Sequence, residues 1–268
     1  MRKSPIVVLA AAVATAAIAW SPAVTLRFNL KPGAKYRYAT STSTTNSMAG
    51  SKPTTESMVQ LITVKSKGAG GYQVVTKIES VDVKGAGAET NQLKGATFTQ
   101  TVSPTGKTSN MSTTASGQAK MMVSMMQALD AGFLGIVYPT NPVGVGSSWS
   151  ATLDLTKMMG AIPGGSMMKI VSGGKIPMKY KLSGIKGSGN NRVAGLSISG
   201  AGSMTMQVTP PQGQGQPQKI TMKFNTSTSA KVDVATGMPS TMDGNATIVM
   251  QIMGNTMTQH LKVKMVRK

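Results

Sequence analysis

The feature that most restricts the fold is a strict alternation of apolar and polar residues. In its longest run, from Ile220 to Val234, the even positions are apolar or threonine and the odd positions are polar or charged. A period of two places alternate side chains on opposite faces of a β-strand. Such a strand would extend about 50 Å at about 3.3 Å per residue, so it must twist strongly or bend. We therefore expect long antiparallel strands with one face in water.

Two shorter alternating runs place lysines on the polar face. Lys179 and Lys181 alternate with apolar residues in 178–182, and Lys262 and Lys264 do so near the C-terminus. An antiparallel sheet with one buried face has this pattern. We predict that these four lysines lie in solvent and bind an anionic surface.

Turn residues separate the alternating runs. Residues 68–71 (GAGG), 188–191 (SGNN) and 235–237 (ATG) each lie between two such runs. Glycine and asparagine tolerate the backbone of tight hairpin turns, so these segments predict hairpin loops. Asp233 precedes the third loop, where an aspartate commonly bonds its own turn.

One segment has the period of a helix. Five apolar residues follow the spacing i, i+3, i+4, i+7, i+11, with a serine at position 116 to cap the start and a glycine at position 135 past the end. The stripe consists of Met122, Met125, Met126, Leu129 and Phe133. We predict an α+β fold dominated by antiparallel β, in which one main helix over about 116–134 packs on a curved sheet or half-open barrel.

The N-terminus has the composition of a Sec-type signal peptide. Arg2 and Lys3 precede an apolar run over residues 6–19, shorter than the ~20 residues of a spanning helix. Small residues predict cleavage after Ala19, with Ala23 as the alternative. We expect export to the periplasm or the extracellular space, and no transmembrane helix in the mature protein.

The mature chain has 268 − 19 = 249 residues. This length suits a single β-rich domain over 20–268. The alternative is two similar halves, about 26–115 and 145–268, joined by the helical segment, which would reflect a weak internal duplication.

The charge balance restricts the partners. Lys and Arg number 28 against 8 Asp and Glu, and loss of Arg2 and Lys3 leaves +20 − 2 = +18. Such a field favours anionic partners. Export and the scarcity of aromatic residues argue against nucleic acid, so the expected partner is an anionic lipid or an acidic wall polymer. The alternative is a soluble protein whose basic surface suits its surroundings and serves no specific partner.

The side chains of the common catalytic sets are scarce. The chain has no cysteine and one histidine, His260, and the closest acids, Glu79 and Asp82, would face opposite sides of a strand. Zinc sites and Cys–His or Ser–His nucleophiles are therefore largely closed off. We expect a protein that is not an enzyme, with no catalytic residues and no cofactor.

The 22 methionines suggest a different ligand. A carrier of a hydrophobic small molecule, such as an acyl chain, is the alternative function, with the helix stripe and Trp149 as its ligand-binding residues. Spacings such as Met204-x-Met206 and Met250-x-x-Met253 could also hold Cu(I), which favours soft ligands. Core filling explains these methionines more simply, so copper ranks last and no metal residue is assigned.

Two short motifs carry a resemblance. Residues 30–33 (LKPG) precede Tyr36, and Pro142, Gly146 and Trp149 form a later Pro-x-x-x-Gly-x-x-Trp element. In these motifs the chain resembles a loose class of exported bacterial β-rich domains of unknown function. The resemblance implies a β-rich envelope domain and carries over no active-site residues. The expected function is therefore a non-enzymatic envelope protein that binds or scaffolds at an anionic surface.

Overall fold

The computed structural model describes residues 23–47, 52–85, 93–117, 120, 132–156, 168–209, 216–252 and 254–268. The predicted leader, residues 1–19, lies outside the described residues. Within the described ranges, no helix combines the length and the apolar character that crossing a membrane requires.

The described part of the chain forms one antiparallel sheet of twelve strands. The strands are β1 (Lys35–Asn46), β2 (Thr54–Gly68), β3 (Gly71–Lys84), β4 (Thr97–Val102), β5 (Thr108–Thr113), β6 (Ser148–Asp154), β7 (Met168–Gly173), β8 (Lys175–Lys186), β9 (Val193–Val208), β10 (Gln218–Asp233), β11 (Pro239–Ile252) and β12 (Asn255–Arg267).

The sheet has the order β5-β4-β3-β2-β1-β12-β11-β10-β9-β8-β6, and β7 pairs with β9 beside β8. Two runs of hairpin-connected strands, β1–β5 and β8–β12, meet where β1 pairs with β12. Because β5 and β6 stand at the two ends of this order, the sheet is open.

The sequence alternation is confirmed along β10. Ala230 and Val232 are buried on one face, whereas Ser227, Ser229 and Lys231 are exposed on the other. The three predicted hairpin loops are also confirmed, since they join β2 to β3, β8 to β9 and β10 to β11.

The prediction of an α+β fold with a main helix over 116–134 is wrong. The described elements are strands and a 3-10 turn at Gly189–Asn191, so the fold is nearly all antiparallel β. Phe133 forms an antiparallel bridge with Ile136 instead of ending a helix. Within the predicted range, Gly132 and Leu134 have φ of 80° and 54°, which a right-handed helix does not contain. Met122, Met125, Met126 and Leu129 lie outside the described residues.

The sheet is strongly curved. The amides of two consecutive residues, Phe28 and Asn29, donate to the carbonyls of Pro104 and Thr236 at 2.8 and 2.9 Å. These carbonyls belong to the β4–β5 and β10–β11 turns, and they lie less than about 10 Å apart because consecutive residues are about 3.8 Å apart. In a flat sheet the six strand steps from β4 to β10 would span about 29 Å. The two arms of the sheet therefore curl towards each other at the end that carries these turns, called here the turn end.

Two chain segments fill the space inside the curl at the turn end. In residues 23–30 the even positions Val24, Leu26, Phe28 and Leu30 are buried. Residues 132–138 lie beside them, and the ring of Phe133 meets that of Phe28 edge-on at a centroid distance of 5.3 Å. These residues join the inner faces of β1–β4, β8–β10 and β12 in one core. A smaller core of Leu155, Ile176, Met204 and Met206 lies near the opposite end of β8 and β9.

Buried tyrosines fix the turn end by bonding to backbone. The Tyr38 hydroxyl donates to the Pro239 carbonyl at 2.8 Å, and the Tyr138 hydroxyl donates to the Gly237 carbonyl at 2.6 Å. Asp233 Oδ1 accepts from the Ala235 amide at 2.9 Å, which confirms the predicted bond to its own turn. Among the described residues, no buried side-chain polar atom lacks a hydrogen-bond partner.

Candidate anion-binding face

The sheet brings the four predicted lysines together on its outer face, the face opposite the main core. Lys179 and Lys262 are the ends of one row of directly paired residues across β8–β12, and Lys181 and Lys264 are the ends of the next. We call these the two lysine rows. The first consists of Lys179, Ser199, Ser227, Asn245 and Lys262, and the second of Lys181, Ser197, Ser229, Asp243 and Lys264.

The rows have a regular geometry. Four strand steps of about 4.8 Å separate the two lysines of a row, so they stand about 19 Å apart along the sheet. The two rows are two residues apart along each strand, or about 7 Å. Four cations therefore mark the corners of a patch about 19 Å by 7 Å.

The burial of the neighbouring residues fixes which way the lysines face. Tyr180 and Leu182 on β8 and Met265 on β12 are all buried on the inner face. The four lysines are one or three positions away from these residues on the same strands. Because side chains alternate along a strand, the lysines point outward. Every member of both lysine rows is exposed.

The side chains between the lysines are short and polar. Serine hydroxyls and the Asn245 amide can donate hydrogen bonds to oxygen anions, and they are too small to cover the ammonium groups. Within the described residues, none of the four lysines takes part in an ion pair, whereas Arg37 bonds Glu79 at 2.9 Å on another part of the sheet. Asp243, the strand partner of Lys264, is the acidic member of the rows.

A shallow depression of about 340 Å³ lies at the β12 side of the rows. It is lined by Ser41, Ser43, Asp243, Gly244, Asn245, Lys262, Val263 and Lys264. The side chains of the lining comprise two ammonium groups, two hydroxyls, one amide and the carboxylate of Asp243.

Two other predicted ligand-binding residues, Phe133 and Trp149, pack against the main core. Phe133 is buried in the main core. Trp149 stacks on Tyr180, and its Nε1 donates to the Val137 carbonyl at 2.7 Å. Both side chains are thus engaged by the protein's own core.

Of the methionines considered for Cu(I), those that the structure describes lie next to apolar residues or other methionines, and the single histidine lies on the surface. Met204 and Met206 are buried in the smaller core, and Met250 pairs with Met222 and Met257 on neighbouring strands. His260 is exposed, and its Nδ1 lies 3.2 Å from the Thr247 hydroxyl. In the described ranges, no cluster of three His, Cys, Asp or Glu residues is placed to hold a metal ion.

Sequence analysis missed the alignment of the two lysine pairs across the sheet. That alignment depends on the pairing register of four strand pairs, which the alternation alone does not determine. A partial signal was present, because Ser197-x-Ser199 and Ser227-x-Ser229 repeat the i, i+2 spacing of the lysines.

Comparisons with known proteins give no family. No family of proteins and no curated protein matches the chain. A solved structure described as "Asymmetric conductivity of engineered proteins" aligns over 88% of this chain and 99% of its own length, with 9% identity and a TM-score of 0.27. At this TM-score the alignment carries no argument about fold or function.

Proposed function

We propose that the protein is an exported, non-enzymatic envelope protein that binds or scaffolds at an anionic surface through the two lysine rows. The observation that carries this proposal is the alignment of Lys179 with Lys262 and of Lys181 with Lys264 on one exposed face. The strands hold these cations at fixed spacing, so a surface that presents many anions can meet all four at once.

The expected binding free energy of the four lysines suits an extended anionic surface better than a single soluble ligand. A lysine near an anionic membrane contributes about 1 kcal/mol. Four lysines would then supply about 4 kcal/mol, which corresponds to a Kd of about 1 mM. Other basic residues of the exported chain, whose net charge is +20 − 2 = +18, add to the attraction, and salt weakens it by screening.

The proposed location rests on the sequence. The charged start, the apolar run over 6–19 and the small residues before Trp20 support export. An exported basic protein meets anionic headgroups and acidic wall polymers, which are the partners proposed here.

The test compares vesicles of anionic phosphatidylglycerol with vesicles of neutral phosphatidylcholine in a co-sedimentation assay. We expect binding to the anionic vesicles at low salt and its loss at high salt. Isolated anionic wall polymer in the same assay distinguishes a lipid from a polymer partner. Absence of binding to both anionic materials at low salt would overturn the proposal.

A charge-matched pair of variants locates the binding face. Replacing Lys179, Lys181, Lys262 and Lys264 by glutamine should abolish most of the binding. The control removes four exposed lysines that lie outside the lysine rows, Lys31, Lys107, Lys186 and Lys268. Equal losses in both variants would mean that net charge, and not this face, carries the binding.

A carrier of a hydrophobic, acyl-chain ligand is the second proposal. It is favoured by the inner face beside the smaller core, where Met222, Met250 and Met257 are strand partners in one row and are only half-buried. Val263 on the same face is 38% exposed. Native mass spectrometry of the purified protein should then show a co-purified lipid, and a spectrum of the bare chain together with no uptake of a fluorescent fatty acid would refute it.

A further inference from the structure

A second depression, of about 330 Å³, lies at the turn end of the sheet, apart from the lysine rows. Three parts of the chain surround it: the segment at 23–29, the β8–β9 turn and the β10–β11 turn. The polar side chains in its lining belong to Thr25, Arg27, Asn29, Asn190 and Arg192.

Burial of the N-terminal segment places Arg27 in this lining. Val24, Leu26 and Phe28 are buried, and the Val24 amide and carbonyl both bond Val143 at 2.9 Å. Because the segment is extended, the odd-numbered Arg27 points away from the core. Asn29 is fixed beside it, since its Nδ2 donates to the Ala235 carbonyl at 3.3 Å.

Arg192 approaches from the β8–β9 turn. Its Nε donates to the Gly189 carbonyl at 3.2 Å, and its own carbonyl accepts from the Val234 amide at 2.9 Å. Among the described residues, its Nη atoms make no hydrogen bond and Arg27 makes no ion pair. Two guanidinium groups in one depression thus retain donors for a ligand.

Among the described residues, the lining has donors and positive charge but no acidic side chain. Asp233 lies next to it in the sequence, and its Oδ1 already accepts from the Ala235 amide. Two like charges in one depression repel each other, and an anion bound between them removes that repulsion. Guanidinium groups match carboxylate and phosphate oxygens in a bidentate geometry.

We propose that this depression is a binding site for a small anion that carries a phosphate or carboxylate group. Its volume is at the lower end of the range of small-molecule pockets, so it suits an anionic group with a small organic part. The site is separate from the lysine rows and does not depend on the proposed function.

Isothermal titration with inorganic pyrophosphate and with citrate tests the proposal and separates the two anion classes. We expect saturable binding of at least one probe, weakened at least about tenfold in Arg27→Gln and in Arg192→Gln. Lys31→Gln removes one exposed charge outside the lining and should bind as the parent protein does. Absence of binding of both probes, or equal weakening by Lys31→Gln, would overturn the proposal.

Two further variants keep the test interpretable. Arg27→Lys retains the charge but loses the planar fork, so it should bind more weakly than the parent and more tightly than Arg27→Gln. The variant without the four lysines of the rows should keep pyrophosphate or citrate binding, and Arg27→Gln should keep vesicle binding. Failure of this site and failure of the proposed function are therefore distinguishable.

Discussion

Trp149 lies parallel to Tyr180, with ring centroids 5.7 Å apart and ring planes 8° apart. The two residues are directly paired on β6 and β8. Since the indole Nε1 also donates to the Val137 carbonyl, this pair attaches the edge strand β6 to the segment that fills the curl.

Loss of this contact should destabilise the protein. Trp149→Ala removes the stacking and the hydrogen bond, and we expect a loss of at least about 2 kcal/mol in the free energy of unfolding. Trp149→Phe keeps an aromatic ring and should lose only about 1 kcal/mol. Urea unfolding followed by circular dichroism measures both, and equal stability of all three proteins would contradict the structural role.

A glycine pair tests the close packing at the turn end. Gly237 has φ of 73°, and a Cβ there would collide with the Arg27 carbonyl. Gly33 has φ of 83°, and a Cβ added to it would meet no atom within 4 Å. Gly33→Ala should cost about 1–2 kcal/mol from backbone strain alone, and Gly237→Ala should cost clearly more. Equal thermal shifts for the two variants would show that the segment at 23–30 does not press on this turn.

Buried tyrosines predict a loss of stability at alkaline pH. Burial raises the pKa of Tyr138 well above its ordinary value of 10.0, and it raises the pKa of Tyr38 as well. The unfolded chain releases these protons first, so the stabilisation is fully present below about pH 10 and falls as the pH rises above that value.

Tyr138→Phe isolates one of these groups. The variant loses the bond to the Gly237 carbonyl, and it should be less stable than the parent by about 1 kcal/mol at neutral pH. Its stability should also fall less steeply than that of the parent above pH 10. Urea unfolding in a pH series measures the difference, and parallel curves would rule out titration of this hydroxyl on unfolding.

Substitutions at two adjacent residues on β8 should affect different properties, one the stability of the protein and the other its binding to anionic vesicles. Leu182 is fully buried, so Leu182→Ala should cost about 2–5 kcal/mol. Lys181 is exposed, so Lys181→Gln should change stability by less than about 0.5 kcal/mol and should weaken binding to anionic vesicles. If Leu182→Ala folds but binds anionic vesicles as weakly as Lys181→Gln does, the loss in Lys181→Gln cannot be assigned to the missing lysine charge.

Sequence patterns predicted the strands and turns that depend only on residues close together in the chain. The alternation along residues 220–234 and the turn at 235–237 need only neighbouring residues, and both are confirmed. The helix prediction failed at residues 132–134, because apolar spacing cannot reveal that Gly132 and Leu134 take left-handed conformations.

The candidate sites were only partly accessible to sequence analysis. The outward direction of Lys179 and Lys262 follows from alternation, whereas their common row depends on strand pairing between distant parts of the chain. That Arg27 and Arg192 line one depression depends on where the segment at 23–29 lies relative to the β8–β9 turn, which no local pattern encodes.

The pairing of β1 with β12 also governs when the protein can fold. Tyr38 pairs with Arg267, a separation of 267 − 38 = 229 residues. Contacts between such distant residues slow folding, because a long loop must close before they form. During synthesis, the edge of β1 that pairs with β12 stays unpaired until β12 has been made. An unpaired strand edge can pair with another chain and cause aggregation. In this strand order the middle of the sheet closes only when strands from both ends of the described chain are present.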